Sequence, residues 1–156
     1  GVEELINSFL SLPENDYKLK IIGDGPILNK LLNLYKSERI IFTGNLTNDE
    51  TIVEISKSQG VVLNTKLYEG QPTLLCEASL MAKPSVFPDT GGLKELFPKN
   101  YQFIFTQENY EELKQRMLEL INSTSEQNNF VGSRNREFLI ENINSNYLKR
   151  FKESID

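Results

Sequence analysis

Two glutamates eight positions apart, Glu69 and Glu77, bracket the segment YEGQPTLLCEA, and KPSVFPDTGGLKE follows a few residues later. The run VVLNT (61–65) ahead of them is short and apolar, as a strand is, whereas PTLLCEASLMA has the length and composition of a helix. Gly70 and Pro72 punctuate the junction, since glycine adopts backbone angles closed to other residues and proline suits a first helical turn. A helix starting here presents unpaired N–H groups at Gln71, Thr73 and Leu74. Its positive dipole end then favours an anion such as a diphosphate. The carboxylates of Glu69 and Glu77 would repel that anion and need other partners. Sugar hydroxyls fit, because an ionised carboxylate accepts several hydrogen bonds.

The elements that must position these groups alternate along the chain. VEELINSFL is a helix with Val2, Leu5, Ile6, Phe9 and Leu10 on one face. KLKIIG is a strand, and the turn GDGP, with Gly23 and Gly25, leads into a helix over ILNKLLNLY with Leu28, Leu31, Leu32 and Tyr35 at helical spacing. RIIFTG is the next strand, and Asn45 and Leu46 lie just beyond it. Thr47 with Glu50 is a capping box for a helix over 48–58. VVLNT, a helix over 72–82, SVFP, a short helix near 93–97 and the strand QFIF continue the series. Asn109 with Glu112 caps YEELKQRMLELIN. Short apolar strands alternating with helices of about ten residues predict an α/β fold, a parallel sheet covered by helices on both faces.

Composition excludes several functions. The 156 residues make one domain, large enough to bury roughly 70% of its unfolded surface. A net charge of −5 argues against nucleic acid or an anionic membrane as the main partner. No apolar run approaches the ~20 residues of a membrane span, and nothing at the start resembles a signal peptide. One cysteine, Cys76, excludes an internal disulfide and fits a reducing cytoplasm. The absence of histidine excludes His-based triads and zinc sites of His type. No D-x-D pair is present either, so no metal is expected.

The order Glu69-Gly70-x-Pro72-x(4)-Glu77-Ala78, then Lys83-Pro84-Ser85-Val86, then Gly91-Gly92-x-x-Glu95, resembles the C-terminal half of retaining, GT-B-fold glycosyltransferases that use nucleotide sugars. The turn IIGDGP is a weaker match upstream. The resemblance runs from the first helix to about residue 125 and implies a Rossmann-like parallel sheet flanked by helices. It implies a ribose-binding role for Glu77, a catalytic or donor-sugar role for Glu69, and nucleotide-sugar contacts at Gly70, Gln71, Thr73, Leu74, Gly23 and Gly25. Asn45 and Leu46 stand where such enzymes read the base. The implied partners are a nucleoside-diphosphate sugar, bound without cofactor or metal, and a polysaccharide or glycolipid acceptor. Enzymes of this type also carry a strand and an Arg…Lys pair ahead of the helix matched by VEELINSFL. The chain is therefore expected to be a piece of a larger cytoplasmic protein that lacks its first, central strand, those cations and the acceptor-binding domain. Membrane contact would be peripheral, through that missing domain, and the piece alone is expected to be inactive.

Alternatives stay open residue by residue. Glu77 alone reads as a solvated helix carboxylate, Glu69 as a surface one and Lys66 as a loop lysine. Gly23, Gly25, Gly91 and Gly92 serve equally as turn residues, and Cys76 as a small core residue. A GT-B-fold epimerase or phosphorylase relative and a flavodoxin-like signalling module are the competing functions. Residues 1–125 form the expected nucleotide-sugar-binding domain. Residues 126–156 are expected to be a polar connector followed by a helix carrying Leu139, Ile143, Tyr147, Phe151 and Ile155 on one face.

Overall fold

A computed structural model describes residues 1–14, 16–70 and 72–142. Gln71 and the positions Ile143, Tyr147, Phe151 and Ile155 lie outside the described residues. The elements run α1 (Val2–Leu10), β1 (Leu19–Ile22), α2 (Leu28–Leu34), β2 (Ile40–Gly44), α3 (Asn48–Lys57), β3 (Val61–Val62), α4 (Thr73–Leu80) and β4 (Ser85–Asp89). A 3₁₀ turn (Leu93–Leu96), β5 (Ile104–Thr106), α5 (Tyr110–Asn122) and α6 (Ser125–Asn142) complete them. All named strand pairs are parallel.

Local chemistry explains the boundaries. Thr47 and Glu50 form the expected reciprocal box at the start of α3, and the Asn109 side chain accepts from the Glu112 N–H at the start of α5. Pro72 stands just ahead of α4 rather than in its first turn, and the helix stops at Leu80 rather than 82. Ala82 sits at φ +53°, which no α-helix accommodates, so the chain turns there toward β4. In α2 only Leu31 is buried, whereas Leu32 and Leu34 are exposed, so the inward face is narrower than its leucines suggest.

The sheet is divided. β1 pairs with β2, and β3-β4-β5 form a separate three-stranded sheet. Both nevertheless pack on one apolar cluster: Leu19, Ile21 and Val62 meet Leu5, Ile6 and Phe9 of α1 and Leu113, Met117 and Leu120 of α5. A second cluster covers the other face, with Leu75, Cys76, Ala78 and Leu80 of α4, Ile55 of α3 and Leu139 of α6. Successive residues of β4 serve opposite clusters, Val86 the first and Phe87 the second, as strand alternation requires.

The expected polar connector is instead the 18-residue helix α6. Its buried positions are Asn128, Gly132, Asn135 and Leu139, a stripe at helical spacing built mostly from polar and small residues. Gly132 makes the close approach possible: a Cβ there would stand 1.8 Å from the Ala82 carbonyl oxygen.

Candidate functional site at the carboxyl ends of the strands

Every segment singled out for chemistry leaves the carboxyl end of a strand. Gly23 follows β1, Asn45 follows β2, the 63–72 loop follows β3 and Gly91-Gly92 follow β4. In parallel sheets flanked by helices this edge is where ligands bind.

The loop after β3 is held on three sides. The Thr65 hydroxyl donates to the Glu69 carboxylate at 3.3 Å, and the Gln107 amide donates to the Thr65 carbonyl at 3.3 Å. The Gly92 N–H donates to the Glu69 carbonyl at 3.0 Å. Gly91 has φ +55°, and a Cβ on it would lie 1.9 Å from that same Glu69 oxygen. The glycine pair therefore turns the chain into the 3₁₀ segment and lets two backbones touch. A cleft of about 250 Å³ lies beyond this contact, lined by Gly70, Gly92, Glu95 and the Phe138–Asn142 end of α6.

Gly70 is exposed and Glu69 half-buried just before α4 begins. No side chain caps α4 and its first turn holds no acid, so the opening N–H groups at Thr73 and Leu74 meet no competing carboxylate there. Glu77 lies farther along the same helix and is half-buried. Burial pushes its carboxyl above the usual carboxylate range.

Upstream, the Gly23 N–H donates to the Gly44 carbonyl at 2.8 Å, and both glycines have positive φ (129° and 70°). The two turns thus close on each other beyond β1 and β2. Gly25 is exposed with open space around it, Asn45 is exposed and Leu46 half-buried.

Lys66 is ion-paired to Glu4 of α1, whose carboxylate holds it above the usual lysine range. Lys94 is ion-paired to Asp89 at the end of β4. The Asn64 amide donates to the Gly1 carbonyl at 2.7 Å, which ties the start of α1 to the end of β3. Sequence reasoning missed Thr65 and Gln107, whose roles depend on contacts 4 and 42 residues apart that no local pattern announces.

The sequence profile of the family described as Glycosyl transferases group 1 matches residues 1–137. No curated protein sequence matches the chain. Among solved structures, HepE of Anabaena, determined in complex with UDP-glucose, covers 99% of this chain with 44% of its own length, at 18% identity and TM-score 0.78. Sucrose-phosphate synthase of Thermosynechococcus elongatus covers 99% with 41% of its length, at 17% identity and TM-score 0.80. A glycosyltransferase of Rickettsia africae covers 98% with 42% of its length, at 18% identity and TM-score 0.73. The chain thus spans less than half the length of each of these three proteins. With a profile match over most of its residues and parallel strands flanked by helices as in these structures, the chain belongs to the glycosyl transferases group 1 family and has the Rossmann-like fold of a C-terminal GT-B glycosyltransferase domain.

Proposed function

We propose that this domain binds the nucleoside-diphosphate sugar donor of a retaining glycosyltransferase. The observation that carries the reading is the uncapped, acid-free start of α4, with a half-buried carboxylate farther along the helix and the Glu69 loop directly ahead. The diphosphate would sit on the N–H groups of Thr73 and Leu74, where the helix end stabilises negative charge. Glu77 would accept hydrogen bonds from the ribose hydroxyls. Glu69, at the loop backed by Gly91 and Gly92, would meet the sugar. Gly23, Gly25, Asn45 and Leu46 would border the base.

The chemistry then follows from charge. As the glycosidic bond breaks, negative charge grows on the departing diphosphate, and preorganised N–H groups lower the barrier by meeting it. The acceptor hydroxyl attacks from the face the nucleotide leaves, so the anomeric configuration is retained. Both Lys66 and Lys94 are held by carboxylates, and in this reading the cations that neutralise the diphosphate are supplied by the rest of the enzyme. No metal is required in this scheme. A polysaccharide or glycolipid acceptor, bound by a separate domain, completes the reaction. The complex of HepE with UDP-glucose supports the donor class.

The divided sheet supports a further part of the reading. β1 and β3 share one core but no hydrogen bonds, as expected if a parallel strand from elsewhere in the enzyme lies between them.

The test is a chemical-shift titration of the domain with UDP, GDP and ADP. Shifts concentrated at residues 69–78 are expected. Shifts confined to other regions, or none at all, would overturn the reading.

A further inference from the structure

A second cavity lies at the opposite edge of the sheet and takes no part in the site above. It has a volume of about 290 Å³ and opens between the segment leading into β5 (Asn100, Tyr101) and the first half of α6 (Gln127, Phe130, Arg134, Asn135). Asn135 lines it while only 1% exposed; its amide nitrogen lies against the Tyr101 hydroxyl, and its amide oxygen completes no hydrogen bond within the protein. A buried amide left in this state is expensive, and a ligand group that reaches it relieves the cost. Tyr101 does not donate to that oxygen. The Tyr101 hydroxyl already accepts from the Ser85 N–H at 2.7 Å and donates to the Ser85 carbonyl at 2.8 Å.

The rim supplies complementary chemistry. Phe130 is 63% exposed, and the Arg134 guanidinium stands 5.9 Å from its ring centroid. Among the described residues Arg134 enters no ion pair. An aromatic face, side-chain amides that both donate and accept, and one guanidinium match a sugar ring bearing an anionic group. The C–H face of the ring rests on Phe130, its hydroxyls reach the amides, and its charge meets Arg134. The volume lies at the lower end of the range for ligand pockets, which suits a single ring. A purely apolar ligand would leave Asn135 unsatisfied.

We propose that this cavity is a second glycan subsite, separate from the donor site, that holds one anionic sugar residue of a longer saccharide. The probes are glucuronate, glucose 6-phosphate and glucose, titrated into the 156-residue chain and followed by chemical shift. Shifts are expected at residues 98–102 and 127–135, at lower concentration for the anionic sugars than for glucose, and unaffected by UDP. Whichever anionic probe binds more tightly identifies the charge as carboxylate or phosphate. Arg134→Ala should bring the anionic sugars down to the level of glucose, a loss of about tenfold. Phe130→Ala should weaken all three. Asn135→Leu should abolish binding; because that position is buried, the two surface variants decide if it fails to fold. No shift at this cavity, shifts confined to residues 69–78, or an Arg134→Ala variant that still prefers the anionic sugars would each overturn the proposal.

Discussion

Partial burial lifts the Glu77 carboxyl above the usual range, and this has opposite consequences for the free domain and for its complex. An acid with a raised folded pKa contributes its full stability below the unfolded value, near pH 4. That contribution is lost as pH rises through the folded value. Above that folded value the free domain holds an ionised, partly desolvated carboxylate at a cost. Glu77→Gln should raise the melting temperature at pH 7, and the advantage over the parent should fade on acidification toward pH 4. Thermal unfolding at several pH values checks this. In the complex the same carboxylate would be satisfied by ribose. Glu77→Ala should then remove charged hydrogen bonds worth roughly 1.5–3 kcal/mol, which weakens nucleotide binding about ten- to a hundredfold by calorimetry. Glu69→Ala is the control: its proposed partner is the sugar, so turnover of the complete enzyme should fall while UDP affinity changes little. A Glu77→Ala domain that binds nucleotide as tightly as the parent would return Glu77 to an ordinary helix carboxylate.

At the scale of elements, legibility in the sequence tracked how apolar each buried face is. α1 and α5 bury Leu5, Ile6 and Phe9 and Leu113, Met117 and Leu120, so their periodicity gave them away. α3 was marked by its capping box. α6 was not legible, because its inward stripe of Asn128, Gly132 and Asn135 carries almost no hydrophobic signal. The Asn128 amide donates to the Leu120 carbonyl at 3.3 Å, and Gly132 is small enough to rest on the backbone at Ala82. These are tertiary relations with no local signature. The site followed the same division. The spacing of Glu69, Gly70, Pro72 and Glu77 marked the strand-to-helix junction, but the backbone contact between Glu69 and Gly91 appears only in the fold. The role of Gly132 makes a direct prediction. Gly132→Ala would press a methyl group into the Ala82 carbonyl and should destabilise the domain by about 1–3 kcal/mol despite improved helix propensity. Denaturant unfolding measures this. A neutral or stabilising result would mean that α6 packs less closely than described.

At the scale of the whole molecule, the divided sheet joins fold and activity in one argument. Leu19 and Gly23 donate to the 39–44 segment, and Val61 and Leu63 donate to the carbonyls of Pro84 and Val86. Because alternate residues of a strand point to opposite edges, the N–H groups of Lys20, Ile22 and Val62 face away from those partners. Such edges invite another strand, and a domain with two of them on one core has room for a parallel strand between. If the remainder of the enzyme supplies that strand, the diphosphate cations and the acceptor site, two outcomes follow together. The isolated 156-residue chain should transfer no sugar from a nucleotide sugar to any glycan acceptor, whereas the complete enzyme should. In hydrogen exchange, the amides of Lys20, Ile22 and Val62 should exchange rapidly in the isolated chain and become protected in the complete enzyme, while Leu19 and Leu63 are protected in both. Measurable transfer by the isolated chain would overturn the first outcome. Equal exchange at Lys20, Ile22 and Val62 in both proteins would overturn the inserted strand while leaving the donor site to its own test.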